Sequence, residues 1–268
     1  MPLPSAGVPT YELSLPSTGK KIKYRPFLVK EEKLLLITMQ GEPELPDMYY
    51  DPSLPKEAKE EMKKIVDEDT KVWEKEVHST VRTLLKGCIL SRIKLDDLTN
   101  FDFEYIFLRI RAVSSGEDVS FKITCKDDGE TEVPVKINLM DVEVQKKENH
   151  DRKIMLNDTL GLIMKYPGLN EFIDVTLLNK SMEEVDELFK LIADCVDQVF
   201  EGEEVYDSTN HTHEEIVKFI EGMTQKQFDK LQTFFNTIPV LSHTFEVTNP
   251  NTGVTSKYKL EGLQSFFG

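Results

Sequence analysis

The chain has no apolar run longer than the four residues Leu34–Ile37, far short of the ~20 that cross a bilayer as a helix. Its opening, MPLPSAGVPTYEL, has neither the basic start nor the apolar stretch of a signal peptide, so folding in a cytoplasm is expected. Cysteine is scarce: Cys88, Cys125 and Cys195 are an odd, widely spaced set. They suit free thiols rather than a disulfide framework, with Cys88 and Cys195 expected as small buried hydrophobes. Positive charge is scarce too. Thirty-three Lys and Arg against 48 Asp and Glu leave a net charge of −15, which excludes a general nucleic-acid footprint. The G-x-x-x-x-G-K-[ST], G-x-S-x-G, H-E-x-x-H and G-x-G-x-x-G arrangements are missing, and no pair of acids is placed so that acid–base roles can be divided between them. A non-enzymatic protein is expected, with no catalytic residue, no cofactor and no metal.

What is present is a globular composition, 39% hydrophobic and 30% charged, in a chain long enough to bury a core. Its charge is polarised. Residues 20–33 hold six bases (Lys20, Lys21, Lys23, Arg25, Lys30, Lys33) against Glu31 and Glu32, whereas residues 181–222 hold thirteen acids against Lys190 and Lys218. Two readings stay open: solvated faces, or patches that meet each other or opposite patches on partner subunits.

The spacing predicts an α+β protein. Residues 1–14 are Pro-rich and expected to form an extended arm. The stretch 15–37, LPSTGKKIKYRPFLVKEEKLLLI, reads as a short basic strand running into a helix over 31–40, with Gly41 as a stop. Four prolines make residues 41–55 a loop, with Met48, Tyr49 and Tyr50 at its centre, either exposed or folded back. Apolar residues recur at helical steps from Lys56 to about Ser91, and a break in that helix would fall near Asp67–Thr70. Asp96–Val113 is apolar around most of its circumference and therefore central, with Asn100 as cap and with Arg109 and Arg111 near the C-terminus, where cations favour the helix dipole. A hairpin from Val119, a strand over Met140–Val144 and a strand-like run over 153–169 follow. Ser181 with Glu184 reads as a capping box for a helix whose stripe continues to Phe200. An acidic loop, EGEEVYDSTNHTH, precedes helices at Glu214–Glu221 and after Thr224, and the chain closes on a hairpin and the tail LQSFFG. The division expected is an N-terminal part, 1–170, and a mainly helical C-terminal part, 171–268.

Both hairpins read F-x-[I/V]-T followed by a turn ending in glycine: FKITCKDDG from Phe121 and FEVTNPNTG from Phe245. In a zinc knuckle the equivalent turn is C-x-x-C-G. Here the four comparable positions are Cys125, Asp128, Asn249 and Thr252, a poor zinc set. The hairpins are therefore expected to be metal-free, with Gly129 and Gly253 supplying positive φ. His211 and His213 form an H-x-H pair without a defined third ligand, and His78 is a lone helical histidine; all three read as solvated or structural.

Four segments, PSTGKKIKYRPFLVKEEKLLL at 16–36, LTNFDFEYIFLRIRAVSSGE at 98–117, KIMLNDTLGLIMKYP at 153–167 and FFNTIPVLSHTFEV with LEGLQSFFG from 234, resemble the baseplate hub protein family of T-even-type contractile-tailed phages. The resemblance implies a non-enzymatic virus protein acting through protein–protein contacts, with other hub or tape-measure proteins as partners and neither nucleic acid nor membrane. It implies assembly in the host cytoplasm. Two roles stay open, a virion subunit in the tail baseplate or an assembly factor that leaves; a host-type adaptor unrelated to phage is the competing class. The expected partner contacts are Lys20, Lys21, Lys23 and Arg25 on the basic strand, Tyr49 and Tyr50 in the loop, and Phe266 and Phe267 in the tail. The helix after the basic strand is expected to pack under FEYIFLRIRA.

Overall fold

The computed structural model describes residues 7–168 and 182–266. They form an α+β fold of six helices and eleven strands arranged in small antiparallel sheets. β1 (Tyr11–Ser14) and β2 (Lys21–Tyr24) make an antiparallel hairpin. The second half of the expected N-terminal arm is thus a strand, held by its ladder to β2, while residues 1–6 lie outside the described residues. Strand period puts Ile22 and Tyr24 inward and Lys21 and Lys23 outward. The far edge of β2 is closed by the segment Cys88–Leu90: Arg25 N–H donates to the Cys88 carbonyl and Leu90 N–H to that of Lys23.

Helix α1 (Val29–Met39) begins at Leu28, whose N–H donates to Glu31 Oε2 at 2.7 Å, one arm of a capping box. Helix α2 (Lys56–Cys88) runs without interruption through Asp67–Thr70. No Gly or Pro falls between Lys56 and Lys86, and the stretch is rich in Lys and Glu, which lose little freedom in a helix; that is why the expected break is absent. Helix α3 (Asn100–Ser115) is capped by Thr99, whose hydroxyl accepts from Asp102 N–H at 3.2 Å. The cap is one residue earlier than expected, and Asn100 instead occupies the first helical position, buried.

α3 is the centre of the molecule. Phe103, Ile106, Phe107 and Ile110 pack with Ile22, Leu84, Leu85 and Cys88 in one apolar cluster. Leu108 and Ala112, on another face, pack with Val119, Ile137, Leu139, Leu241 and Phe266 in a second. That second cluster is roofed by the hairpin β3 (Asp118–Thr124) and β4 (Glu132–Asn138) and by β5 (Glu143–Gln145); the strand expected over Met140–Val144 starts at Glu143.

A third cluster lies under a meander of β6 (Lys153–Met155), β7 (Leu160–Met164), β8 (Val196–Glu201) and β9 (Glu204–Asp207). It is covered by α4 (Met182–Asp194), α5 (His213–Glu221) and α6 (Gln225–Thr237). α4 ends at Asp194, not at Phe200: Val196, Val199 and Phe200, residues that suit a pleated surface, form β8 and pair with β7. The "acidic loop" is the hairpin β8–β9 followed by a 3-10 turn. Ser181, the expected cap of α4, lies outside the described residues. The chain ends in β10 (Val240–Thr248) and β11 (Thr255–Glu261), and β10 pairs with β5 as well.

Strand pairing runs across residue 170, where the division of the chain was expected. β7 pairs with β8 and β5 with β10, so strands from both sides of that position share sheets. A boundary placed by contiguous pattern misses pairings that are remote in sequence.

Candidate interaction surface

Lys20, Lys21 and Lys23 are exposed along β2, with Lys21 Nζ 3.4 Å from Glu12 in the paired strand. Arg25 is not part of that row. Its guanidinium forms a bidentate pair with Glu31, at 2.7 and 2.8 Å, in a largely buried position. The hydrogen bond from Arg25, joined by that from Leu28 N–H, holds the Glu31 carboxyl below its ordinary range. Arg25 thus ties the end of β2 to the start of α1 instead of facing a partner. Beside it, burial and then the Glu31 charge push the Cys88 thiol up to about 12, which makes it inert. Cys125 and Cys195 are buried as well.

Phe27 reaches α3: its ring centroid is 5.6 Å from that of Phe107, and its N–H donates to Ser114 Oγ at 2.8 Å. α1 itself packs on α2 instead of under α3. Leu35 is buried there, Thr38 Oγ1 lies 3.1 Å from Thr80 Oγ1, and Trp73 Nε1 donates to the Thr38 carbonyl at 2.8 Å. The other face of α1 is open. Val29 is 83% exposed, Leu36 and Ile37 57% each and Leu34 41%. Positions 29, 33, 36, 37 and 40 fall on one side of a helix, so Val29, Leu36 and Ile37 form an apolar stripe interleaved with exposed Lys33 and flanked by exposed Lys30. The two acids of the helix are turned aside, Glu31 to Arg25 and Glu32 to Ser115.

The 41–55 loop holds a 3-10 turn, Asp47–Tyr50, in which the two rings meet edge to face at 5.4 Å. Tyr49 is half-buried, with Lys59 Nζ 5.8 Å from its ring centroid, while Tyr50 and Met48 are exposed. The tail behaves differently. Gly262 N–H donates to the Leu241 carbonyl and Leu263 N–H to Glu104 Oε1 at 3.3 Å, and Phe266 is 1% exposed against Leu108, Leu139 and Leu241. Phe266, expected as a partner contact, is therefore packed into the core of its own chain; Phe267 lies outside the described residues.

The two knuckle-like turns meet, which their separate sequences do not show. Each repeats the same bonds. Gly129 N–H donates to the Cys125 carbonyl and Gly253 N–H to that of Asn249, both glycines at positive φ (69° and 75°). Asn249, fully buried, donates through Nδ2 to Asp128 Oδ2 at 2.8 Å and Asp127 Oδ2 at 3.0 Å, and Thr252 Oγ1 donates to Asp127. Hydrogen bonds, led by that from Thr252 for Asp127 and by that from the Thr131 hydroxyl for Asp128, hold both carboxyls below the usual range. Two acceptor-only carboxylates closed over an amide donor make a hydrogen-bonded latch. No group of three or more His, Cys, Asp or Glu that could hold a metal occurs among the described residues. The repeated F-x-[I/V]-T…G wording was the one signal in the sequence that these turns are related.

His211 and His213 diverge. His213 Nε2 donates to the Lys190 carbonyl at 3.1 Å and lies 3.1 Å from Asp194 Oδ1, at the C-terminus of α4, while His211 Nδ1 is 3.7 Å from Glu215. Three buried polar groups escaped the sequence reading. Arg109, read as a helix-end cation, donates to the carbonyls of Leu139 and Val142 at 2.9 Å each and pairs with Glu143. Burial pushes Glu104 up to about 7. His150 bridges Thr237 Oγ1 at 2.9 Å and the Tyr166 hydroxyl at 3.0 Å, stacked on Tyr166. Their chemistry was visible; their burial was not.

No helix among the described residues is long and apolar enough to cross a membrane. One family model matches the chain, over residues 8–268, and its description is T4 bacteriophage base plate protein. No curated protein and no solved structure matches.

Proposed function

Since the chain belongs to the T4 bacteriophage base plate protein family, we propose that it is a non-enzymatic component of the central hub of the contractile tail's baseplate, acting through contacts with other hub or tape-measure proteins. The observation that carries this reading is the open stripe of α1. A helix that leaves Val29, Leu36 and Ile37 in water beside Lys30 and Lys33 gains free energy when a partner covers it, at ~25 cal/mol for each Å² of apolar surface buried. Lys20, Lys21 and Lys23 on β2 add a charged border that steers association more than it holds it. Assembly takes place in the host cytoplasm, and the finished protein stays in the tail.

The test has two parts. Co-expression with candidate hub and tape-measure proteins should recover a stoichiometric complex; binding to neither would sink the proposal. Mass spectrometry of purified virions should then find the protein at fixed copy number. Its absence from virions, together with a complex in the first experiment, would replace the subunit role by that of an assembly factor that leaves.

A further inference from the structure

Between the β6–β9 meander and α5 lies a groove of about 260 Å³. Its floor is apolar: Leu160, Val196, Val199, Ile216 and Phe219. Register explains the floor. Val199 pairs with Tyr206 and Leu160 with Glu201, so all four side chains stand on the sheet face that looks at α5, and Glu201 and Tyr206 form the rim.

Two further features surround the same groove. β9 is the edge strand of its sheet, and every residue from Glu203 to Tyr206 is exposed, Val205 at 60%. Alternate N–H and C=O groups of an edge strand point away from its neighbour and are free to pair. The segment 201–221 also carries seven carboxylates against one lysine, Lys218. Acids on an edge repel a second copy of the same edge, a common safeguard against self-association. They do not repel a basic strand.

We propose that this groove and the β9 edge form a docking site for an extended basic segment of a partner protein, which adds as a fifth strand beside β9, seats one apolar side chain between Val199 and Ile216, and places Lys or Arg against Glu201 and Glu204. Strand addition of this kind draws affinity from main-chain bonds and specificity from the alternate side chain. The site stands apart from the α1 stripe in place and in sign of charge, and it holds whichever hub role the protein has.

The probe is a labelled synthetic peptide alternating lysine with valine or leucine, titrated into the full-length protein by fluorescence anisotropy at low salt. Saturable binding is expected, weakened at least tenfold when glutamate replaces each lysine and again when each apolar residue becomes serine. Hydrogen exchange of the complex should slow at residues 203–207. Glu201→Lys with Glu204→Lys, both on exposed positions, should weaken binding at least tenfold. Ile216→Trp, which fills the groove, should do the same, with folding checked by circular dichroism. Equal binding of the glutamate or serine peptide, or slowed exchange confined to other strands, overturns the proposal. So does unchanged affinity in the charge-reversed variant, which remains informative if Ile216→Trp does not fold.

Discussion

α1 and α3 are alike in sequence and opposite in fate. VKEEKLLLITM and NFDFEYIFLRIRAVSS both carry apolar residues on more than one face. α3 is enclosed, by α2 and β2 on one side and by the β3–β4 and β10–β11 hairpins with the tail on another. α1 has α2 under it and water over it. A helix that is apolar all round must be buried; where the chain's own elements do not suffice, the remaining surface is available to another molecule. The difference lies in neighbours, not in composition, and it separates a core from an interface.

Four measurements would break or sharpen that contrast, in descending order of effect. Arg109→Ala should lower unfolding free energy by about 3–5 kcal/mol in urea titration, since it strips the donor from two buried carbonyls and from Glu143. A loss below 1 kcal/mol would mean that α3 is not enclosed as described.

Glu104→Gln should act in the opposite direction, and only at high pH. The folded-state carboxyl titrates near 7 and its ordinary value is 4.5. Between those values the folded chain keeps a proton that the unfolded chain has lost, so stability falls as pH rises through the window. The amide removes that fall. Thermal melts should show the variant more stable by about 2–3 kcal/mol at pH 8 and unchanged below pH 4.5.

Asn249→Ala tests a polar joint against these apolar ones. Losing the buried amide that joins Asp127 and Asp128 should cost about 2 kcal/mol and speed hydrogen exchange in both turns together. Independent behaviour of the two hairpins would contradict the latch.

The smallest effect on stability belongs to α1. Leu36→Ser with Ile37→Ser should change unfolding free energy by less than ~1 kcal/mol, yet reduce co-purification with a hub partner at least tenfold. Unfolding of this variant would assign the stripe to the core; full retention of binding would release it from the interface.

Much of the local structure was legible. The period of apolar residues located α2, α3 and α6, the prolines located the 41–55 loop, and the hairpin glycines were assigned their positive φ. Errors cluster where local pattern and remote pairing disagree: Val196–Phe200 fits a helical stripe but is held as β8 by β7. For the candidate surface, Lys20, Lys21 and Lys23 are exposed as their type suggests, and Tyr50 takes the exposed one of the two placements left open for it, while Arg25 and Phe266 are buried by partners that no spacing reveals.

By itself, then, the sequence determined the types of the long, strongly periodic elements, the charge polarity and the resemblance to a baseplate family, because propensity, periodicity and net charge are properties of neighbouring residues. Only the tertiary structure decided which apolar residues are enclosed, that the two knuckle turns close on each other through Asn249 and Thr252, and that an acidic hairpin edges an apolar groove. Burial and strand pairing depend on residues far apart in the chain, and the free energy of a buried charge or an open helix face is set by what folds over it.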